Sequence, residues 1–238
     1  LVSLLNLIGI LAHPPLLTPN NSVWDALSED DRKSVIAGES IVLEESVEES
    51  AWPKVTVIRR VDGLPVEGAG IFFDYELAHE YVPRMDSSVL VAEPSWRRDH
   101  VRYFLNLAWP LPNEDYTLEY FADFLPRKAT IERPADQVYW MDWKMIRSKK
   151  MKKIEGYIRF EPMPKSVDGT AVEPDAFLLT YFNLVVPGYN GAGMAEQAGV
   201  NLIRGTVDGF VDQMDKERSD EEGRKQLADQ TARLLDVL

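Results

Sequence analysis

The chain has 238 residues, Lys+Arg 26 against Asp+Glu 39, a formal net charge of −13 and no cysteine. With 45% hydrophobic and 27% charged residues, there is enough apolar surface for a folded core, which excludes disorder as the dominant state. The acidic balance opposes a phosphate backbone, so no nucleic-acid partner is expected. The missing cysteines exclude disulfide frameworks, thiolate zinc sites and cysteine nucleophiles.

The first segment, residues 1–12, reads LVSLLNLIGILA. It is too short for a transmembrane helix, which needs roughly 20 apolar residues. It fits the apolar core and cleavage end of a secretory signal, with a mature chain opening at His13-Pro14-Pro15 and a periplasmic or secreted location. A packed N-terminal helix is the alternative. Residues 13–50 then form an extension. Trp24 to Gly38 predicts a short helix, with Ser28 as N-cap, Glu29, Asp30 and Asp31 in the first turn, and Gly38 as the stop. IVLEESV predicts a strand, and VTVIRRV a second one after Trp52-Pro53, because Pro53 cannot donate to a ladder.

Residues 51–215 form the main domain. Short helices are predicted over Val66–Phe73 and Glu76–Tyr81. The apolar period then turns to two: Val89-Leu90-Val91, His100 to Ala108, Tyr116 to Phe124, Val138 to Arg147 and Ile154 to Phe160 each read as strands. Phe177 to Val186 is apolar on both faces, as a doubly covered strand is. Gly193 to Met214 predicts one long helix, with Met194, Ala198, Leu202 and Phe210 on a widening apolar stripe that only the sheet can cover. Residues 216–238 read as a solvated helical tail with a thin stripe of Leu227, Leu234, Leu235 and Leu238. The fold class is α+β: a curved antiparallel sheet wrapped around a long C-terminal helix. Such a sheet leaves space beside the helix for an apolar cavity.

Several short motifs fall in an order that resembles the START/SRPBCC superfamily, the helix-grip fold that includes lipid-transfer START domains, birch-pollen-allergen-like proteins and polyketide cyclases. They are Val55 to Val61 with Leu64-Pro65-Val66-Glu67, then Phe73-Asp74-Tyr75-Glu76 and Tyr81-Val82-Pro83. Trp109-Pro110-Leu111-Pro112 with Asp115-Tyr116-Thr117 follows, then Gly156 to Pro162, Asp168-Gly169-Thr170, Leu179-Thr180-Tyr181 and Val186-Pro187-Gly188. The START branch is closest in flavour. The resemblance implies binding of a lipid or other hydrophobic small molecule under the long helix. None of these motifs is a catalytic signature, and the superfamily hosts many functions.

The residues themselves offer no catalytic cluster. His13, His79 and His100 form no metal-binding spacing, and no nucleophile elbow, phosphate loop or calcium loop occurs. No cofactor, metal or catalytic residue is expected. The stripe Tyr139, Met141, Trp143 and Met145 is either core or cavity wall, since one surface serves both in this fold. Val101, Tyr103, Leu105, Ile158, Leu202 and Phe210 would complete the wall, while parity puts Arg102 and Glu119 on the outer face. A basic run, Arg147, Lys149, Lys150, Lys152 and Lys153, is either a solvated turn or a transient contact with anionic lipid headgroups. Two alternatives to a ligand carrier stay open: a cyclase- or hydratase-like enzyme on a hydrophobic cyclic substrate, and a protein-interaction module.

Overall fold

An eight-stranded antiparallel sheet organises the chain. The structure, a computed structural model, describes residues 21–95, 97–107, 111–123, 125–126, 131–164, 166–167, 170–171 and 176–238. The segment 1–12, read above as a signal, His13, and the Trp109-Pro110 and Asp168-Gly169 parts of the motifs lie outside the described residues. Two short helices come first, α1 (Val23–Ala26) and α2 (Glu29–Ile36). They are separate because Leu27 and Ser28 are extended and each helix carries its own serine cap: Ser22 accepts from the Asp25 N–H and Ser28 from the Asp31 N–H.

The strands are β1 (Ile41–Glu45), β2 (Lys54–Asp62), β3 (Met85–Ser95), β4 (Arg98–Leu105), β5 (Glu114–Phe121), β6 (Tyr139–Ser148), β7 (Met151–Pro162) and β10 (Ala176–Pro187). Two-residue strands β8 (Ser166–Val167) and β9 (Thr170–Ala171) make a separate ribbon. The main sheet runs β1-β2-β10-β7-β6-β5-β4-β3, so the last strand inserts beside β2 and the others form a meander. The register shifts between Thr117 and Leu118, at Val186/Pro187 and along β3, and such irregularities bend a sheet. Between β2 and β3 lie α3 (Pro65–Phe73), a 3-10 turn (Tyr75–Leu77) and α4 (Ala78–Tyr81). Pro65 opens α3 where a missing N–H costs nothing.

After β10 a 3-10 turn (Ala192–Ala195) leads into α5 (Glu196–Ser219), which buries Val200, Ile203, Val207, Phe210, Val211 and Met214 at helical spacing. This is the predicted long helix, extended to Ser219. A further helix, α6 (Glu221–Val237), corrects the reading of a solvated tail. Leu227 and Leu234 are buried in the main core, and the α6 backbone at Gln230 and Thr231 passes so close to α3 that a Cβ on Gly70 would stand 3.1 Å from the Thr231 nitrogen. Gln230 and Arg233 both donate to Asp74 at the end of α3. All four leucines of the stripe meet the core, Leu227 and Leu234 buried and Leu235 and Leu238 partly buried, and the polar anchors add to them.

Over β2, β10, β7 and β6 both faces of the sheet are covered, by different layers. The inner face packs under α3 to α6 with Val57, Val101, Tyr139, Ile158 and Leu179. The outer face carries a second core of Ile58, Trp140, Tyr157, Leu178 and Phe182 under Val23, Trp24, Leu27 and Val35 of the N-terminal helices. This explains why Phe177 to Val186 is apolar on both parities. A buried ion pair fastens the outer layer: Arg159 and Glu161 on β7 are 1% and 5% exposed. Glu161 accepts from Arg159 Nε at 3.0 Å, from the Val23 N–H at 3.0 Å and from Ser22 Oγ at 2.5 Å. The Arg159 guanidinium also donates to the Asn21 carbonyl.

Candidate functional site

The inner face divides into a filled half and a half with a cavity. In the filled half α3 drops Phe72 onto the sheet, 6.0 Å from the Tyr120 ring and 6.2 Å from the Phe160 ring. Phe160 in turn stacks toward Phe177 and toward Phe210 of α5. Gly68 is needed because a Cβ there would stand 2.7 Å from the Phe177 ring. The Tyr75 hydroxyl closes this half by donating to Asp99 at 3.0 Å, with Met141 Sδ at 3.5 Å.

Beyond Phe72 the packing opens. A cavity of about 110 Å³ lies between the sheet, α4 and the first half of α5. Its wall is aromatic and aliphatic, with Trp52, Tyr81, Trp143 and Tyr181 as the large rings and Leu202 and Ile203 from the helix. Trp143 lies flat on β7 because residue 156 is glycine; a Cβ there would meet the indole at 2.5 Å. On the helix side the seam is made of small residues. A Cβ on Gly209 would stand 2.1 Å from the Tyr81 carbonyl oxygen, and Gly205 faces Pro83.

Of the ten wall residues expected from sequence, Tyr103, Leu105, Trp143 and Leu202 line this cavity. The other six do not. Tyr139, Met141, its register partner Ile158, and Phe210 belong to the filled half, where α3 and the Tyr75 turn occupy the space. Val101 is fully buried between Leu90 and Leu118 on the neighbouring strands. Met145 is partly buried where the β5–β6 register slips. Parity identified the inner face correctly but carries no information on where a helix plugs it. Arg102 and Glu119 do face outward: Arg102 grips Asp115 with two hydrogen bonds, and Glu119 meets Lys144 at 3.1 Å and His100 at 3.6 Å. His79 is exposed on α4, 3.4 Å from Glu80.

Polar groups interrupt the cavity wall. The Tyr103 and Tyr120 hydroxyls bond one another at 2.7 Å. Burial raises both phenols well above their ordinary range, so they stay neutral. Glu114, Asn183 and Thr206 also line it. Glu114 is 2% exposed, and neither carboxylate oxygen meets a protein donor at hydrogen-bond geometry. Desolvation pushes its carboxyl up to about 7, against the weaker pull of Lys150 and Ser148; Asp115 adds to the rise. The sequence reading missed Glu114. The signal was available: Glu114, Tyr116, Leu118 and Tyr120 share parity, and the inward stripe simply begins two residues before Tyr116.

The five basic residues Arg147, Lys149, Lys150, Lys152 and Lys153 are all exposed around the β6–β7 hairpin. Lys150 donates to the Asn113 carbonyl at 2.8 Å and Lys153 pairs with Glu155 at 2.7 Å, so part of the charge is engaged locally.

No family model matches the chain, and no curated protein is similar to it at a significant level. Solved structures are similar in fold. One is a STAR-related lipid transfer protein fragment from Xanthomonas axonopodis, at 16% identity and a TM-score of 0.57, covering 73% of this chain and 92% of that one. Another is the Zhui aromatase/cyclase from a Streptomyces species, at 12% identity and a TM-score of 0.51, covering 71% and 97%. A protein from Thermus thermophilus matches at 14% identity and a TM-score of 0.50, covering 67% and 95%. The chain therefore has the helix-grip, START-like fold. That fold was readable from the motif order, and at these identities it is the fold alone that is shared.

Proposed function

We propose that the chain binds a lipid or other hydrophobic small molecule between the inner face of the sheet and α5, and carries it without chemical change. The observation that supports this is the cavity: an aromatic and aliphatic wall around unfilled space, in a fold shared with a STAR-related lipid transfer protein. At about 110 Å³ the closed cavity is smaller than the roughly 300 Å³ at which ligand pockets begin. Binding of a lipid-sized molecule therefore requires the wall to move outward. We propose that it moves at the seam of Gly205 and Gly209 against Tyr81 and Pro83, where α4 and α5 meet closely and the Tyr81 ring lies edge-on to Phe210 at 5.5 Å.

Native mass spectrometry of the full chain, with organic extraction of the same preparation, tests the reading. A co-purifying hydrophobic molecule is the expected result. An empty protein whose cavity tryptophans, Trp52 and Trp143, do not respond to added naphthalene or phospholipid would sink it.

One observation favours a second reading, a cyclase- or hydratase-like enzyme: a carboxyl titrating near neutrality and a phenol pair share one apolar cavity. Recovery of a bound molecule chemically altered after incubation would favour it over carriage. The interaction-module reading has to keep α6 in place, because Leu227 and Leu234 of α6 are packed in the core.

Two further parts of the carrier reading are proposals. The exposed basic hairpin would meet an anionic membrane surface, which co-sedimentation with phosphatidylglycerol and phosphatidylcholine vesicles separates. A periplasmic or secreted location is checked by cell fractionation.

A further inference from the structure

Among the described residues, Glu114 combines burial with a place beside empty space. It opens β5, points into the cavity wall, and is 2% exposed, with neither oxygen at hydrogen-bond geometry to a protein donor and the Ser148 hydroxyl as a weak side-chain partner. On the β10 side of the same wall, Asn183 Oδ1 is a third buried acceptor without a donor. A buried acceptor left without a partner is unfavourable, and native proteins keep few of them. These ones border empty space rather than packed atoms. The buried lining atoms left without a partner are all acceptors, so the complementary ligand is one that brings donors.

We propose that Glu114 is the specificity determinant of the cavity and selects amphiphiles whose polar end donates hydrogen bonds, an amine or a hydroxyl, against those ending in a carboxylate. The proposal rests on the ligand-binding reading above and deepens it. An ammonium or hydroxyl on an apolar tail satisfies a Glu114 oxygen while the tail lies on the aromatic wall. A carboxylate brings only acceptors and a like charge into a site that already has both.

The groups that face Glu114 set its charge. They are Asp115 on its own strand, Lys150 and Ser148 from the β6–β7 hairpin, and Tyr189 from the loop after β10, whose phenol is itself raised by burial and by Glu114. Lys150 lowers the Glu114 carboxyl by less than burial raises it, and its ammonium also donates to the Asn113 carbonyl. With its carboxyl near 7, Glu114 switches between a protonated form that both donates and accepts and an ionised form that prefers ammonium. Amine binding strengthens as pH rises through that value; alcohol binding stays nearly level.

The test titrates the full chain with decylamine, 1-decanol, decanoate and naphthalene at pH 8, by calorimetry and tryptophan fluorescence. Decylamine and 1-decanol are expected to bind at least about tenfold more tightly than decanoate, the effect of one charge-assisted hydrogen bond. Glu114→Leu should erase that preference. Glu114→Gln, which keeps an acceptor without the charge, should weaken decylamine about tenfold and spare 1-decanol. If Glu114→Leu fails to fold, the Glu114→Gln result decides alone. Equal affinity for all three head groups, or an unchanged preference in either variant, overturns the proposal while naphthalene binding keeps the carrier reading alive. If naphthalene and all three amphiphiles fail to bind the wild-type chain, the carrier reading falls, and this proposal with it.

Discussion

Glu161 on the outer face of β7 is 5% exposed, and Glu114 on the inner face of β5 is 2% exposed. Their burial is nearly the same and their surroundings are opposite. Glu161 holds four donors, from Arg159, Ser22 and the Val23 backbone. Glu114 holds none at hydrogen-bond geometry and sits beside a cavity. A carboxylate whose every oxygen is matched by the chain is a fastening. One that the chain leaves unmatched, next to space, is a place for something else. The two faces of one sheet therefore have different jobs, and charge alone does not separate them.

Breaking the fastening should give the largest effect. Glu161→Ala leaves the Arg159 guanidinium buried without its carboxylate, and unpairing a buried ion pair costs about 3–5 kcal/mol. Urea denaturation should show that loss. Limited proteolysis should show early cleavage near Leu27, because the same carboxylate holds Ser22 and Val23. A shift of less than about 1 kcal/mol would mean that the pair is no fastening.

The same test on the other face should run in the opposite direction. Glu114 titrates near 7 when folded, against an ordinary 4.5. Between those values the folded chain keeps a proton that the unfolded chain has lost. Stability therefore falls as pH rises from about 4.5 to about 7, and is level above, for a total of up to about 3 kcal/mol. Asp142, raised by burial to about 6, contributes with the same sign. The difference between wild type and Glu114→Gln isolates Glu114: the variant should be the more stable one at pH 8 and equal at pH 4. A variant that is less stable at pH 8 would show that Glu114 has a partner in the fold after all.

The seam is next in size. Gly209→Ala places a Cβ 2.1 Å from the Tyr81 carbonyl oxygen, a backbone atom that cannot rotate away. Overpacking of this kind costs about 1–3 kcal/mol, offset by up to about 1 from the better helix propensity of alanine. Gly205→Ala meets only Pro83 Cγ, at 3.0 Å, and should cost less. If α4 and α5 separate to admit a ligand, Gly209→Ala should also speed probe entry in stopped-flow fluorescence, because it forces the seam apart.

How far these contrasts could be read in advance depends on the element. Alternation announced β4 to β7, and the double apolar parity of Phe177 to Val186 announced a strand covered on both sides, which the two cores explain. Ser28 capped its helix as its neighbours implied. What alternation cannot report is depth along the sheet. Tyr139 and Trp143 share one face of one strand, yet Trp143 borders the cavity and Tyr139 does not, because α3 reaches only so far. The packing of α6 was hidden in part because its contact with Gly70 is backbone to backbone, and a leucine stripe alone does not say what covers it. Glu114 looked like an ordinary acidic residue before a strand, since no pattern distinguishes an inward carboxylate from an outward one until the parity of the strand is carried back to it.

The smallest expected effect sharpens the comparison by removing burial from it. Arg102 and Asp115 form a bidentate pair on the outer face, at 2.7 and 2.8 Å, with the geometry that usually invites a claim of stability. Their side chains are 51% and 22% exposed, beyond the cover of α1 and α2. Arg102 holds the Asp115 carboxyl below its ordinary range through its hydrogen bonds and charge, yet solvent screens the pair and both side chains lose freedom in forming it. Asp115→Asn should leave the urea midpoint unchanged within error at moderate salt. Should it instead approach the loss seen for Glu161→Ala, the distinction between the buried pair and the exposed one would rest on something other than desolvation, and the reading of Glu114 as a carboxylate kept for a ligand would need that same something.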